Sequence, residues 1–404
     1  MFKKRVVAAA ACALAMAGAA HAVEVSRDGT GDLLIAPAYF IGGGMTTDLK
    51  VVNTSKTQSV VAKVVFRDQT SSAELLDFLI YLSPSDVWTG TMSCETADAA
   101  GTCVKSVITS ADDSIQLVNS NTFASATNPV EIVNELATTG RQPLPNQGYV
   151  EVLMGSAYDV TPFKPGVKKE NIVLAHEAAA ELVAVNATPN VLTGSVTAHA
   201  PGMGAATLPL LALADYNNNN KIAVGNVSGF DLPTQRTPIA DVEEALWTNN
   251  IAVPYVVGDN KLSLVTFTFP TKLTYNNRQD GQYAFRESPA DNWKNSCTNV
   301  SAEVFNNSEE SLPINLSPLP ANKCLKEFQW LVFGSDILTD NGVNHFTEGW
   351  ARLTFDAATA AVAQVVTPAD STNVGRLGVP AIATYMQKDE TANKFTWAYA
   401  TSAR

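Results

Sequence analysis

Val60-Val61-Ala62-Lys63-Val64-Val65-Phe66 and, after a short polar stretch, Leu76-Asp77-Phe78-Leu79-Ile80-Tyr81-Leu82 are the two runs whose reading decides the fold class. Both are too short for a stable helix, rich in β-branched and aromatic residues, and bounded by turn formers, which is how strands read. In the second run Leu76, Phe78, Ile80 and Leu82 share one face at period 2, and Asp77, Leu79 and Tyr81 share the other. The first face reads as core. Leu79 and Tyr81 opposite it imply a second covered surface, supplied either by another layer of the chain or by a partner.

Working outward, Asp32 to Ile41, Leu49 to Asn53 and Val87 to Met92 complete five strands, with Gly42-Gly43-Gly44 and Asn53-Thr54-Ser55 as punctuation. Leu49–Asn53 followed by Val60–Phe66 reads as a hairpin. Short strands at such regular intervals predict a mainly β protein that begins with an immunoglobulin-like β-sandwich. From Ser93 to Asn146 the pattern loosens, and Asn128 followed by Pro129 predicts a helix over 129–137. Strands are expected at Gly148–Met154, Thr193–Ala200 and Ala206–Ala214, with helices at Asn171–Val185 and, briefly, at Asp241–Trp247.

Strand texture returns at Ile251–Val257, Leu262–Phe269, Phe328–Phe333, Gly349–Phe355, Val379–Gln387 and Phe395–Ala400, while Tyr275–Ser317 reads as a polar excursion. No period of 20 to 50 residues marks a solenoid or propeller. The asparagine run after Asp215 divides the expected organisation. Residues 23–215 form the sandwich with a loop and helix insertion, and residues 216–404 are a second β-rich domain or a continuation of the first.

The address is legible in the first residues. Lys3-Lys4-Arg5, the apolar run Val6–Ala20 and the small-x-small site Ala20-His21-Ala22 read as a signal peptide over 1–22, leaving Val23 as the new N-terminus. The apolar run is shorter than the roughly 20 residues a bilayer span needs. No later stretch has the length or apolarity of a span, so an exported protein of the cell surface, extracellular space or periplasm is expected. The chain carries 27 basic and 39 acidic residues, a balance of −12. Such a chain repels phosphate backbones and anionic lipid surfaces, which argues against nucleic-acid and membrane-surface partners. Apolar residues at 46% supply enough core to exclude a disordered chain.

Of five cysteines, Cys12 lies in the leader, leaving Cys94, Cys103, Cys297 and Cys324. An even number in an oxidising compartment predicts disulfides, and four cysteines allow three connectivities. Nearest-neighbour pairing, Cys94–Cys103 and Cys297–Cys324, is the simplest. Loop closure would then contribute about 2.7 and about 3.6 kcal/mol.

Several landmarks together resemble a family of secreted bacterial proteins without assigned chemistry. They are Leu76 to Gly90 (LDFLIYLSPSDVWTG), Thr268 to Lys272 (TFPTK) and Glu348 to Leu353 (EGWARL), with further matches at Gly148–Val152 and Gly378–Pro380. The resemblance implies export and a β-rich fold, and it carries over no functional residue.

Direct signs of chemistry are few. No G-x-S-x-G elbow occurs, and the three histidines beyond the leader are His176, His199 and His345. His176-Glu177 begins like a zincin helix, but position 180 is Ala180, so the second ligand is missing. His199 ends a strand before a turn and reads as a hydrogen-bonded structural residue. Asp215-x-Asn217-x-Asn219 places oxygen ligands at alternate positions, with Ile222 at the eighth, as a Ca²⁺ loop would. Against Ca²⁺, the twelfth position is Asn226 where a bidentate Glu is needed. Asp28-Gly29-Thr30-Gly31-Asp32 reads as a tight turn. Phe78, Tyr81 and Trp88 could stack on sugar rings, but period-2 packing explains them as core. The reading is therefore an exported, non-catalytic structural or binding protein that self-associates or docks on a cell-surface component. A secreted hydrolase with a site assembled from distant residues is the alternative, followed by a carbohydrate- or Ca²⁺-binding module.

Overall fold

The computed structural model describes residues 23–69, 74–101, 103–110, 115–117, 130–132, 146–158, 189–216, 242–271, 300–314, 328–340, 343–344, 346–355 and 378–402. The chain is mainly β. The first half contributes β1 (Glu24–Val25), β2 (Leu33–Phe40), β3 (Thr46–Asn53), β4 (Ser59–Asp68), β5 (Glu74–Leu82), β6 (Val87–Ala97) and β7 (Cys103–Thr109). It continues with β8 (Ile115–Leu117), β9 (Val130–Ile132), β10 (Gln147–Tyr158), β11 (Leu192–Ala200), β12 (Gly204–Pro209) and β13 (Leu211–Ala214). Among the described residues these strands form a seven-stranded sheet, β1-β13-β2-β10-β4-β5-β8, and a six-stranded sheet, β12-β11-β3-β6-β7-β9.

The two sheets share one apolar core. Phe78 lies opposite Val64 across β4 and β5, and its ring centroid is 5.6 Å from that of Trp88 on the facing sheet. Leu76, Phe78, Ile80 and Leu82 are all buried on this inner face, as their alternation predicts. The turn between β2 and β3 uses Gly43 and Gly44 at φ 63° and 79°, a region that glycine enters without steric penalty.

The other face of the seven-stranded sheet is also covered. Val61, Val65, Leu79 and Tyr81 are fully buried in a second apolar cluster, joined by Val242 from a helical turn at 242–245, by Leu246 directly after it and by Ile382. The second surface implied by Leu79 and Tyr81 is therefore another layer of the same chain. Four charges sit within it. Val65 is flanked along β4 by Lys63 and Arg67, and its register partners on either side are Glu151 and Asp77. Lys63 pairs with Asp77 at 2.7 Å and Arg67 with Glu151 at 3.0 Å, all four side chains being buried.

The second half contributes β14 (Trp247–Thr248), β15 (Asn250–Val256), β16 (Lys261–Thr268), β17 (Val300–Asn306), β18 (Ser311–Ile314), β19 (Phe328–Val332), β20 (Thr339–Asp340) and β21 (Val343–Asn344). It ends with β22 (Glu348–Phe355), β23 (Val379–Pro380), β24 (Ile382–Asp389), β25 (Lys394–Tyr399) and β26 (Thr401–Ser402). A five-stranded sheet, β18-β17-β22-β15-β26, packs on a four-stranded one, β19-β16-β24-β25, across a core that includes Val253, Phe267, Val304 and Leu353. Among the described residues no strand pairing crosses between the halves, but packing does. Phe40 at the end of β2 stacks on Trp330 and meets Phe328 and Trp397 edge-on. The Tyr399 hydroxyl donates to the Pro209 carbonyl at 2.7 Å.

Four expectations need correction. Leu49–Asn53 and Val60–Phe66 do not form the expected hairpin: β3 pairs with β6 and β11 in the six-stranded sheet while β4 pairs with β5 and β10 in the seven-stranded one, so the link between them crosses from one layer to the other. Residues 130–132 lie in a strand where a helix was expected, because Val130-Glu131-Ile132 pairs with β7 and tertiary pairing outweighs a local cap. The excursion expected over Tyr275–Ser317 contains β17 and β18. The expected strand Ala206–Ala214 is two strands in different sheets, broken around Pro209 and Leu210. The helix expected at Asn171–Val185 lies outside the described residues, as do the leader and the pair Cys297 and Cys324. Cys94 and Cys103 form a disulfide across the β6–β7 hairpin. Among the described residues no helix is long and apolar enough to cross a membrane.

Both faces of β5 being buried fixes two outcomes. Phe78→Asp and Tyr81→Asp should each destabilise by more than about 3 kcal/mol, since each buries a charge without a partner. Lys50→Ala, at an exposed position, should stay within about 0.5 kcal/mol. Urea unfolding followed by circular dichroism checks all three. Replacing Cys94 and Cys103 together by Ala should cost about 2–3 kcal/mol by loop entropy in the same assay.

Candidate functional site

β17 and β22 alternate strictly. Val300, Ala302 and Val304 point into the core while Glu303 and Phe305 face out, and on β22 Ala351 and Leu353 are buried while Glu348, Trp350 and Arg352 are exposed. Antiparallel register sets Phe305 opposite Trp350 and Glu303 opposite Arg352, with Pro254 of β15 on the other side of Trp350. The rings of Phe305 and Trp350 stack with centroids 4.4 Å apart and planes 12° apart. The Arg352 guanidinium carbon lies 5.6 Å from the Trp350 ring centroid, and its Nη1 donates to Glu303 Oε2 at 3.3 Å.

Trp350 nonetheless keeps 37% of its surface exposed. An aromatic stack contributes about 0.5–1.5 kcal/mol and an exposed cation–π contact about 0.5–1 kcal/mol. These contacts orient the indole without hiding it. The Glu303–Arg352 pair is exposed and adds little stability of its own.

The neighbouring backbone is held closely. A Cβ on Gly349 would lie 1.9 Å from the Phe305 carbonyl oxygen, so only glycine permits this approach of β22 to β17. Glu348 accepts a hydrogen bond from the Asn307 side-chain amide, and Asn306 Oδ1 accepts from the Ser308 and Glu310 amides, each at 2.9 Å. From the core side the Tyr255 hydroxyl donates to the Phe305 carbonyl at 3.0 Å. Burial, and secondarily the charge of Glu348, push the Tyr255 phenol up to about 12. The result is a half-open indole, stacked on Phe305 and neighboured on the same sheet face by a guanidinium, two carboxylates and an amide.

Other candidates are placed differently. A cavity of about 300 Å³ lies between the halves, walled by Val25, Leu211, Leu246, Ile382 and Tyr399. Its Tyr399 hydroxyl is already engaged with Pro209, and burial raises that phenol. His199 bonds Asp48 Oδ2 at 2.7 Å on the outer face of the six-stranded sheet, where Thr91 donates to Asp48 Oδ1 at 2.6 Å. This is the structural role expected of it. Asp28 accepts from Ser26 and Thr30 in the predicted turn, which holds its carboxyl down to about 2.

Asp215 has φ 58° and exchanges two 2.9 Å hydrogen bonds with the Asn190 side chain. Asn217 and Asn219, the other residues of the expected Ca²⁺ loop, lie outside the described residues, as do His176, Glu177, Ala180 and His345. Among the described residues no three His, Cys, Asp or Glu side chains gather as a metal site. Phe78, Tyr81 and Trp88 are fully buried, in line with their reading as core.

Sequence reasoning missed the patch itself. Glu348-Gly349-Trp350-Ala351-Arg352-Leu353 reads as a strand, but its partner β17 lies within Tyr275–Ser317, whose composition suggests a polar excursion. The alternation Val300-x-Ala302-x-Val304 was the available signal. Compared with family models, curated proteins and solved structures, the chain matches none.

The raised Tyr255 phenol has a definite sign. The native state keeps this proton while the unfolded chain, near its ordinary value of about 10, releases it. The contribution is present below pH 10 and lost as pH rises from 10 towards 12. Melting temperatures taken between pH 9 and 12 should fall, and less steeply in Tyr255→Phe than in the wild type.

Proposed function

We propose that this chain is an exported, non-catalytic protein of the cell surface or extracellular space that binds its target through the Trp350 patch. One observation carries the reading: Trp350 is held in a fixed stack with Phe305 and beside Arg352, yet keeps 37% of its surface in water. Large apolar side chains gain by burial, so an oriented but open indole is favourable where a ligand will cover it. The Cys94–Cys103 disulfide fits an oxidising compartment. The leader-like segment Met1–Ala22 and the resemblance to secreted proteins support export.

The test uses full-length protein expressed with its leader. N-terminal sequencing of the exported form should begin at Val23. The purified protein should co-sediment with washed cell envelopes from a strain lacking it. Trp350→Ala should weaken that binding at least tenfold, with the thermal transition shifted by no more than about 2 °C, the scale of a surface change. Undiminished envelope binding by a folded Trp350→Ala protein would overturn the proposal.

A further inference from the structure

We propose that Lys63 and Asp77 condense inside the folded protein, giving an amide between Lys63 Nζ and Asp77 Cγ that ties β4 to β5 covalently. The two side chains project from one face of neighbouring strands, because Val65 stands opposite Asp77 and Lys63 opposite Leu79. Lys63 Nζ lies 2.7 Å from Asp77 Oδ2. A carbonyl C–O bond is about 1.2 Å long, so the carboxyl carbon is within about 4 Å of the amine. Well-oriented reacting groups can reach effective concentrations on the order of 10⁵ M or more.

Burial supplies the driving force. Both side chains are only 4% exposed, and ions lose their hydration at such a site. Among the described residues Asp77 Oδ1 has no hydrogen-bond partner, and a buried, unsatisfied carboxylate oxygen is costly. Condensation removes both charges and one of the two oxygens. The Lys63 ammonium carries three protons. One stays on the amide nitrogen, and two leave with a carboxyl oxygen as water. The Nζ–Cγ bond forms, a Cγ–O bond breaks, and nothing is oxidised or reduced. In open water the hydrated ions are favoured. Here Val61, Leu79, Tyr81 and Ile382 surround the pair with apolar side chains and keep out the water that would reverse the step.

The chemistry of the pair singles it out. Arg67 and Glu151 are as deeply buried and 3.0 Å apart. A guanidinium, however, always keeps its proton, whereas a lysine can hand a proton to its carboxylate and attack as the neutral amine. Lys105–Glu95 and Lys261–Asp389 are lysine–carboxylate pairs at solvent-accessible positions, where hydration stabilises the ions. The bond closes the loop between Lys63 and Asp77. Unlike the Cys94–Cys103 disulfide, it does not open when thiols are present.

The experiment is mass spectrometry of the full-length exported protein after denaturation and reduction, so that disulfides contribute nothing. Its mass should fall below that of the sequence from its observed N-terminus by one water. Trypsin should then release Thr57–Arg67 joined to Asp68–Lys105, uncut after Lys63, and fragmentation should place the link between Lys63 and Asp77. The double variant Lys63→Met, Asp77→Leu replaces both charges by apolar side chains, a change that buried ion pairs tolerate. It should show its full sequence mass. If that variant fails to fold, the wild-type mass and peptide map decide alone. A wild-type mass equal to that of the sequence, or a lost water mapped to any other residues, would refute the inference.

Discussion

Val65 sits among four buried charges, and that arrangement constrains the register of the central strands. Lys63 and Arg67 flank it on β4, while Glu151 and Asp77 stand opposite it on β10 and β5. Because β5 is apolar on both faces, hydrophobicity alone distinguishes its two sides poorly. A slip of one residue would carry every side chain to the opposite face. It would drive Lys63 and Arg67 towards Phe78 and Trp88, where no carboxylate waits. Removing one member of a buried ion pair typically costs about 3–5 kcal/mol, far more than an exposed pair contributes. The quartet therefore penalises wrong registers more than it stabilises the right one.

A sheet buried on both faces needs a second cover, and the cover ties the halves together. Val242, Leu246 and Ile382 lie in the same apolar cluster as Leu79 and Tyr81. At another point Phe40 reaches into a nest of Phe328, Trp330 and Trp397. The polar groups beneath that nest are satisfied: Trp397 Nε1 donates to Thr384 Oγ1 at 2.9 Å, and the Thr384 and Thr266 hydroxyls lie 2.6 Å apart. Each half has its own strand pairings, yet part of each core is completed by the other.

The Trp350 patch follows a different rule. Its stability contribution is small, since its contacts are a stack, an exposed cation–π pair and an exposed ion pair. What it has is definition. Gly349 allows the close strand approach, Tyr255 holds the Phe305 carbonyl from the core side, and Asn306 secures the following turn. A surface with fixed geometry loses less entropy on binding than a mobile one.

The sequence by itself determined the β character, the inward set Leu76, Phe78, Ile80 and Leu82, and the proximity pairing of Cys94 with Cys103. These are local matters: side-chain alternation has period 2, and nine residues of separation make a short disulfide loop. It also required a second cover over Leu79 and Tyr81, without saying which residues supply it. Only the tertiary structure decided that Val242, Leu246 and Ile382 do so, that Val130–Ile132 joins a sheet, and that Phe305 stands against Trp350. Each depends on partners tens to hundreds of residues away, and the physical reason is register. A strand's own pattern says which residues face together, but only its neighbour decides what they face.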